Sequence, residues 1–144
     1  QVGGSDAMAV VHNWSYENPD TTQDYRNVQV RSVLVFSNIN TDNAVINGTR
    51  NERIQVKSGV FSRDFDIQMQ FNGVTVPSAN QGWTKGCPSA GTVQGTVDFT
   101  QQSGTGLPVT TTWTFQIAIT NGGADVQVSA GPYTREYTCT LCTM

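Results

Sequence analysis

The stretch Phe65-Asp66-Ile67-Gln68-Met69-Gln70-Phe71 decides the fold, because apolar and polar side chains alternate along it without a break. Successive side chains of a β-strand point to opposite faces, so this alternation predicts a strand with one apolar and one polar face. Asn72-Gly73 follows at once and predicts a type I′ hairpin turn into a returning strand at 74–76. Pro77 is expected to end that strand.

The same two-residue period recurs on both sides of this stretch, and no segment longer than a turn or two has the period of an amphipathic helix. Further strands are predicted at 7–16, 26–36, 51–57, 92–101, 109–120, 125–130 and 133–144. Eight or nine strands at this spacing indicate an all-β fold, an antiparallel β-sandwich of jelly-roll or immunoglobulin-like type, with a barrel as the alternative.

The composition indicates one secreted β domain over residues 1–144, which is long enough to bury a core. Charged residues make 13% of the chain, against about 25% in a typical soluble domain, whereas Thr, Gln, Asn and Ser together make 52 of the 144 residues. This weakly charged surface suits an extracellular or cell-surface β protein. The net charge of -3 and the absence of a cationic cluster argue against a nucleic-acid partner.

The three cysteines are Cys87, Cys139 and Cys142. In a continuous strand, Cys139 and Cys142 have their α-carbons about 10 Å apart, which exceeds the roughly 7 Å that a disulfide tolerates. The alternation of 133–144 turns Cys139 towards the core, so we predict a Cys87–Cys139 disulfide and leave Cys142 as a free or interchain thiol. If the chain end curls, Cys142 is the partner of Cys87 instead.

Two sequons and one long irregular segment are candidate sites for glycosylation and for sugar binding. Asn13 and Asn47 begin the sequons Asn13-Trp14-Ser15 and Asn47-Gly48-Thr49, which are candidate glycosylation sites in a secreted protein. The segment 78–91 is the longest irregular stretch, and an exposed Trp within it, with amides beside it, suits stacking on a sugar ring. Its candidate ligand-binding residues are Asn80, Gln81, Trp83 and Lys85.

Catalytic patterns are missing from the sequence, so no enzyme activity, cofactor or metal is expected. The lone histidine, His12, falls in a predicted strand and is interpreted as a surface or edge residue. Asp64 and Asp66 share a strand face, with Glu52 on a neighbouring strand, and such a set could bind Ca²⁺ or act as an acid/base pair. Nearby arginines favour surface ion pairs instead.

Three hypotheses for function remain. The first is a non-catalytic structural or adhesive subunit that self-associates, or binds an extracellular protein partner, through strand edges; residues 1–16 would then provide an extended pairing strand. The second is a carbohydrate-binding module or lectin that binds glycans through the 78–91 loop. The third is a pore-forming cytolysin, because the predicted hairpin 92–119 has arms of membrane-spanning length. It is the one hypothesis that requires membrane contact.

Overall fold

In a computed structural model of the chain, residues 6–18, 24–78 and 86–142 are described, and every regular element in these ranges is a strand. The strands are β1 (Ala7–Glu17), β2 (Asp24–Ser37), β3 (Asn43–Ser58), β4 (Phe61–Pro77), β5 (Ala90–Ser103), β6 (Val109–Thr120), β7 (Gly123–Ala130) and β8 (Tyr133–Thr140). Each strand pairs antiparallel with the next, so the sheet is an eight-stranded meander in chain order.

The predicted all-β fold with antiparallel strands is confirmed, but the architecture is a single sheet. β1 and β8 form its two edges and do not pair with each other, so the sheet is open. The second layer that a sandwich requires is not formed by the strands of the described residues. Alternation predicts strands and their faces, whereas closure depends on how the whole sheet curves.

The hairpin predicted at Asn72-Gly73 is wrong. β4 runs through these residues as one strand, and its register shifts there against both β3 and β5, which identifies a β-bulge. Gly73 has φ of 59°, the positive value that both a type I′ turn and a glycine bulge require. The dipeptide therefore predicts a positive φ, which suits either a turn or a bulge. Here β3 and β5 pair with β4 on both sides of it, so the chain forms the bulge.

The register gives the sheet one apolar and one polar face. The apolar face carries most of the aromatic and aliphatic residues, as in the cross-strand row Trp14, Val30, Glu52, Ile67, Val97 and Trp113. The polar face carries amides and hydroxyls, as in the row Thr49, Gln70, Gln94, Gln116 and Gln127. The predicted assignment of Phe65, Ile67, Met69 and Phe71 to one face is confirmed by these pairings.

Side chains are best covered at one end of the sheet. We call this the disulfide end, because the disulfide lies there beside the turn at 121–122; the turn at 38–42 is at the same end of the sheet. Its core consists of Val74, Val76, Val93 and Ile119, all buried. The opposite end, which we call the hairpin end, carries the turns at 59–60, 104–108 and 131–132.

Candidate functional site

The carboxylates considered for acid/base or Ca²⁺ chemistry do not converge. Glu52 lies on the apolar face and pairs with Arg50 at 3.2 Å, whereas Asp64 and Asp66 lie on the polar face. Arg53 donates two hydrogen bonds to Asp64, at 2.9 and 3.3 Å. Donation from Arg53 holds the pKa of the Asp64 carboxyl below its ordinary value. Glu52 and Asp64 therefore belong to two separate surface ion pairs on opposite sides of the sheet.

The remaining candidates for catalytic or metal chemistry are the lone histidine and any cluster of metal-ligating side chains. His12 is exposed on the edge strand β1, as the sequence predicted. Residues 6–18, 24–78 and 86–142 contain no group of three or more His, Cys, Asp or Glu side chains suited to a metal ion.

The predicted Cys87–Cys139 pairing is wrong, since the disulfide joins Cys87 to Cys142 with a Cα–Cα distance of 6.1 Å. β8 ends at Thr140, and the chain then bends so that the Leu141 amide donates to the Gly122 carbonyl at 2.9 Å. The strand geometry assumed for Cys142 therefore stops short of it, and Cys139 is the free, exposed thiol. Disulfides are typical of oxidising compartments.

Hydrogen bonds to the β6–β7 turn hold the segment that follows Cys87 close to Cys142. The amide of Asn121 donates to the Ser89 carbonyl at 2.7 Å, and that of Gly122 donates to the Pro88 carbonyl at 3.2 Å. The segment after Cys87 is thus fastened to the same turn that receives the bent chain end. This contact is between residues far apart in sequence, which explains why the spacing of the cysteines alone predicted the wrong partner for Cys87.

Both sequons open onto the polar face. Asn13 is exposed on β1, and Asn47 is exposed on β3, where its side-chain carbonyl accepts a hydrogen bond from the Gly73 amide at 2.7 Å. Glycosylation of either residue stays a prediction. The predicted sugar-binding residues Asn80, Gln81, Trp83 and Lys85 lie outside the described residues.

The outer edge of β1 is the first exposed surface. All eleven residues of this strand are exposed, although it pairs with β2 along its whole length. Its large apolar side chains project on both faces, with Val11 62% and Trp14 49% exposed. The strand contains no Lys, Arg or Pro, the residues that usually protect a sheet edge from pairing. The sequence predicted residues 1–16 as a pairing strand for another subunit; residues 7–16 pair with β2 of their own chain, and pairing of the outer edge with another subunit stays a prediction.

The apolar face is the second exposed surface, and sequence reasoning missed it. A groove of about 520 Å³ crosses β4 to β7 on this face and is lined by apolar side chains alone, including Phe65, Phe99, Trp113 and Val128. Trp14 and Trp113 share the parity of the apolar positions in their strands, which predicts the correct face and also burial. Both remain exposed, so the prediction of burial is wrong. Periodicity reports the face of a residue and not whether anything covers that face.

The described part of the chain contains no helix with the length and apolar character needed to cross a membrane. Comparison with known proteins gave no match to a family model, a curated protein or a solved structure.

Proposed function

We propose that this protein is a non-catalytic, secreted structural subunit that joins copies of itself through its strand edges into an extracellular assembly. The single observation that carries this proposal is the outer edge of β1, which is eleven residues long, mostly apolar and without Lys, Arg or Pro. An edge of this kind presents backbone donors and acceptors to another strand, as in recognition by strand addition.

The meander supplies a matching edge on the other side of the sheet. Because eight strands alternate in direction, β1 and β8 run antiparallel, so β1 of one copy added to β8 of the next continues the antiparallel pattern. The apolar faces of both copies then lie on the same side. A contact between two different edges repeats from copy to copy and generates a ring or a filament.

Light scattering on paired lysine variants tests the edge contact. Val11→Lys places a charge on β1, and Val60→Lys, at a turn residue of similar exposure, is its matched control. We expect the wild type to exceed the chain mass of 15.6 kDa increasingly with concentration. Val11→Lys should lower the average mass at least about twofold, because lysine disfavours edge pairing, and Val60→Lys should leave it unchanged. A wild-type protein that stays monomeric at every concentration would rule the proposal out.

Membrane contact is the second candidate, and the hairpin end favours it. Two turns there carry exposed apolar side chains, Val60 and Phe61 on one and Leu107 on the other, and the Gly104 amide donates to the Val60 carbonyl at 2.7 Å. Neighbouring apolar tips of this kind suit insertion into a lipid surface. Dye release from vesicles by the wild type, lost in Leu107→Gln, is the result expected of the membrane candidate; intact vesicles exclude it.

A further inference from the structure

The apolar face of the sheet leaves large aromatic side chains exposed to solvent. Trp14 and Trp113 belong to it and keep 49% and 44% of their surface in solvent, and Tyr137 on β8 keeps 52%. Among the described residues, no large side chain is fully buried. Burial of apolar surface is the main favourable contribution to folding, so a sheet that leaves this face open lacks much of its expected stabilisation.

The accessible surface of the chain is also large for its mass. The chain exposes 9802 Å², whereas a compact monomer of 15.6 kDa exposes about 7,200 Å². The excess is roughly a third of the compact value. A standard interface buries about 800 Å² on each partner, so the excess is larger than one such interface removes. Strand addition at β1 covers an edge and leaves the apolar face as it was.

Two further observations favour a protein partner on this face. Both sequons lie on the polar face, so a glycan on Asn13 or Asn47 would leave the apolar face free. Arg50 and Glu52, which lie within the apolar face, are paired with each other, so covering them does not bury an isolated charge.

We infer that the apolar face packs against the same face of a second copy, so that the β-sandwich predicted from the sequence forms between two chains. This inference rests on the proposed function, because it identifies a second contact of the same assembling subunit. Two sheets packed face to face lie about 10 Å apart, and their inner side chains interdigitate to form the core. Here each chain supplies one sheet.

The distribution of large side chains across the face is compatible with a two-fold contact. The groove lined by Phe99, Trp113 and Val128 lies on the β4–β7 half, whereas Trp14 and Tyr16 stack on β1, at the other edge of the same face, with ring centroids 6.4 Å apart. A two-fold axis along the strand direction brings the β1 half of each copy over the β4–β7 half of the other. Such a contact is self-complementary and closes as a dimer.

Sedimentation velocity on face and edge variants tests this inference. Trp113→Glu places a charge on the apolar face, and Thr114→Glu, one residue further along β6 and exposed on the polar face, is its matched control. We expect Trp113→Glu to weaken the face contact at least about tenfold in dissociation constant, and Thr114→Glu to leave it unchanged. Val11→Lys alone should leave dimers, and the double variant Val11→Lys/Trp113→Glu should be monomeric.

The outcomes separate the two proposals. If Val11→Lys alone is fully monomeric, the face contact is overturned while the edge contact stands; if the wild type is monomeric, both fail. Carbene footprinting of the unmodified protein avoids any dependence on the folding of Trp113→Glu. Protection of Trp113 that increases with protein concentration supports the face contact, and labelling that is independent of concentration in assembled protein overturns it.

Discussion

The two ends of the sheet differ in how their apolar side chains are covered. At the disulfide end, the segment 86–89 and the bent chain end are fastened over the strand ends, and Val74, Val76 and Ile119 are buried. At the hairpin end, short turns join the strands, nothing in the described residues folds back over the face, and Leu107 is 89% exposed. The buried cluster around Val74 and Ile119 therefore lies where another segment covers the strand ends, whereas in the described part of the chain burial towards the hairpin end is limited to Val28 and Val30 on β2.

The difference between the ends explains the role of the disulfide in this fold. A sheet with one covered end depends on the connections that hold the cover in place, and the Cys87–Cys142 bond links two such segments. The proposed assembly would supply contacts from a second chain at the open end. Substitutions at the two ends should accordingly have different effects on the free energy of unfolding of the isolated chain.

The largest expected effect comes from removing the disulfide. Cys142→Ser opens a link between residues 55 apart in sequence, and loss of a loop closure of this length lowers the free energy of unfolding by about 4 kcal/mol. Urea unfolding at low protein concentration measures this loss. Cys139→Ser is the matched control and should unfold like the wild type, because Cys139 is free and exposed. Equal losses in the two variants would contradict the observed pairing.

The same valine truncation at the two ends gives an intermediate effect. Val76 is 6% exposed at the disulfide end, and Val109 is 58% exposed at the hairpin end. Val76→Ala should lower the free energy of unfolding by about 2 kcal/mol, because it removes buried methyl groups and leaves a cavity. Val109→Ala should change it by less than about 0.5 kcal/mol in the monomer. Similar losses at both sites would mean that the hairpin end is also covered.

The sequence predicts the features that depend on neighbouring residues and misses those that depend on contacts between distant parts of the chain. Alternation is a local property, so the strands and the face of Phe65, Ile67, Met69 and Phe71 were predictable. The bulge at Asn72-Gly73 required knowledge of the strands on both sides, because the dipeptide specifies only a positive φ. The exposure of Trp113 and the Cys87–Cys142 pairing depend on what meets those residues in space, and no local pattern encodes that.

The smallest expected effect concerns the ion pair between β3 and β4. Arg53→Gln removes the donor to Asp64, and because both side chains are partly exposed the loss in free energy of unfolding should stay below about 1 kcal/mol. The pKa of Asp64 is lowered in the folded state, so the pair stabilises the fold above the ordinary aspartate pKa near 4. Its contribution is lost as the pH falls through the lowered pKa.

The difference between wild type and Arg53→Gln should therefore be present at pH 7 and disappear in strong acid, as measured by urea unfolding at both pH values. Arg31→Gln, an exposed arginine on the same face, serves as the control and should show no such pH dependence. A difference that persists unchanged well below pH 4 would indicate that Arg53 acts through the packing of its side chain against the sheet. This pair lies near the hairpin end, so its small contribution is consistent with an end whose own contacts do little to stabilise the monomer.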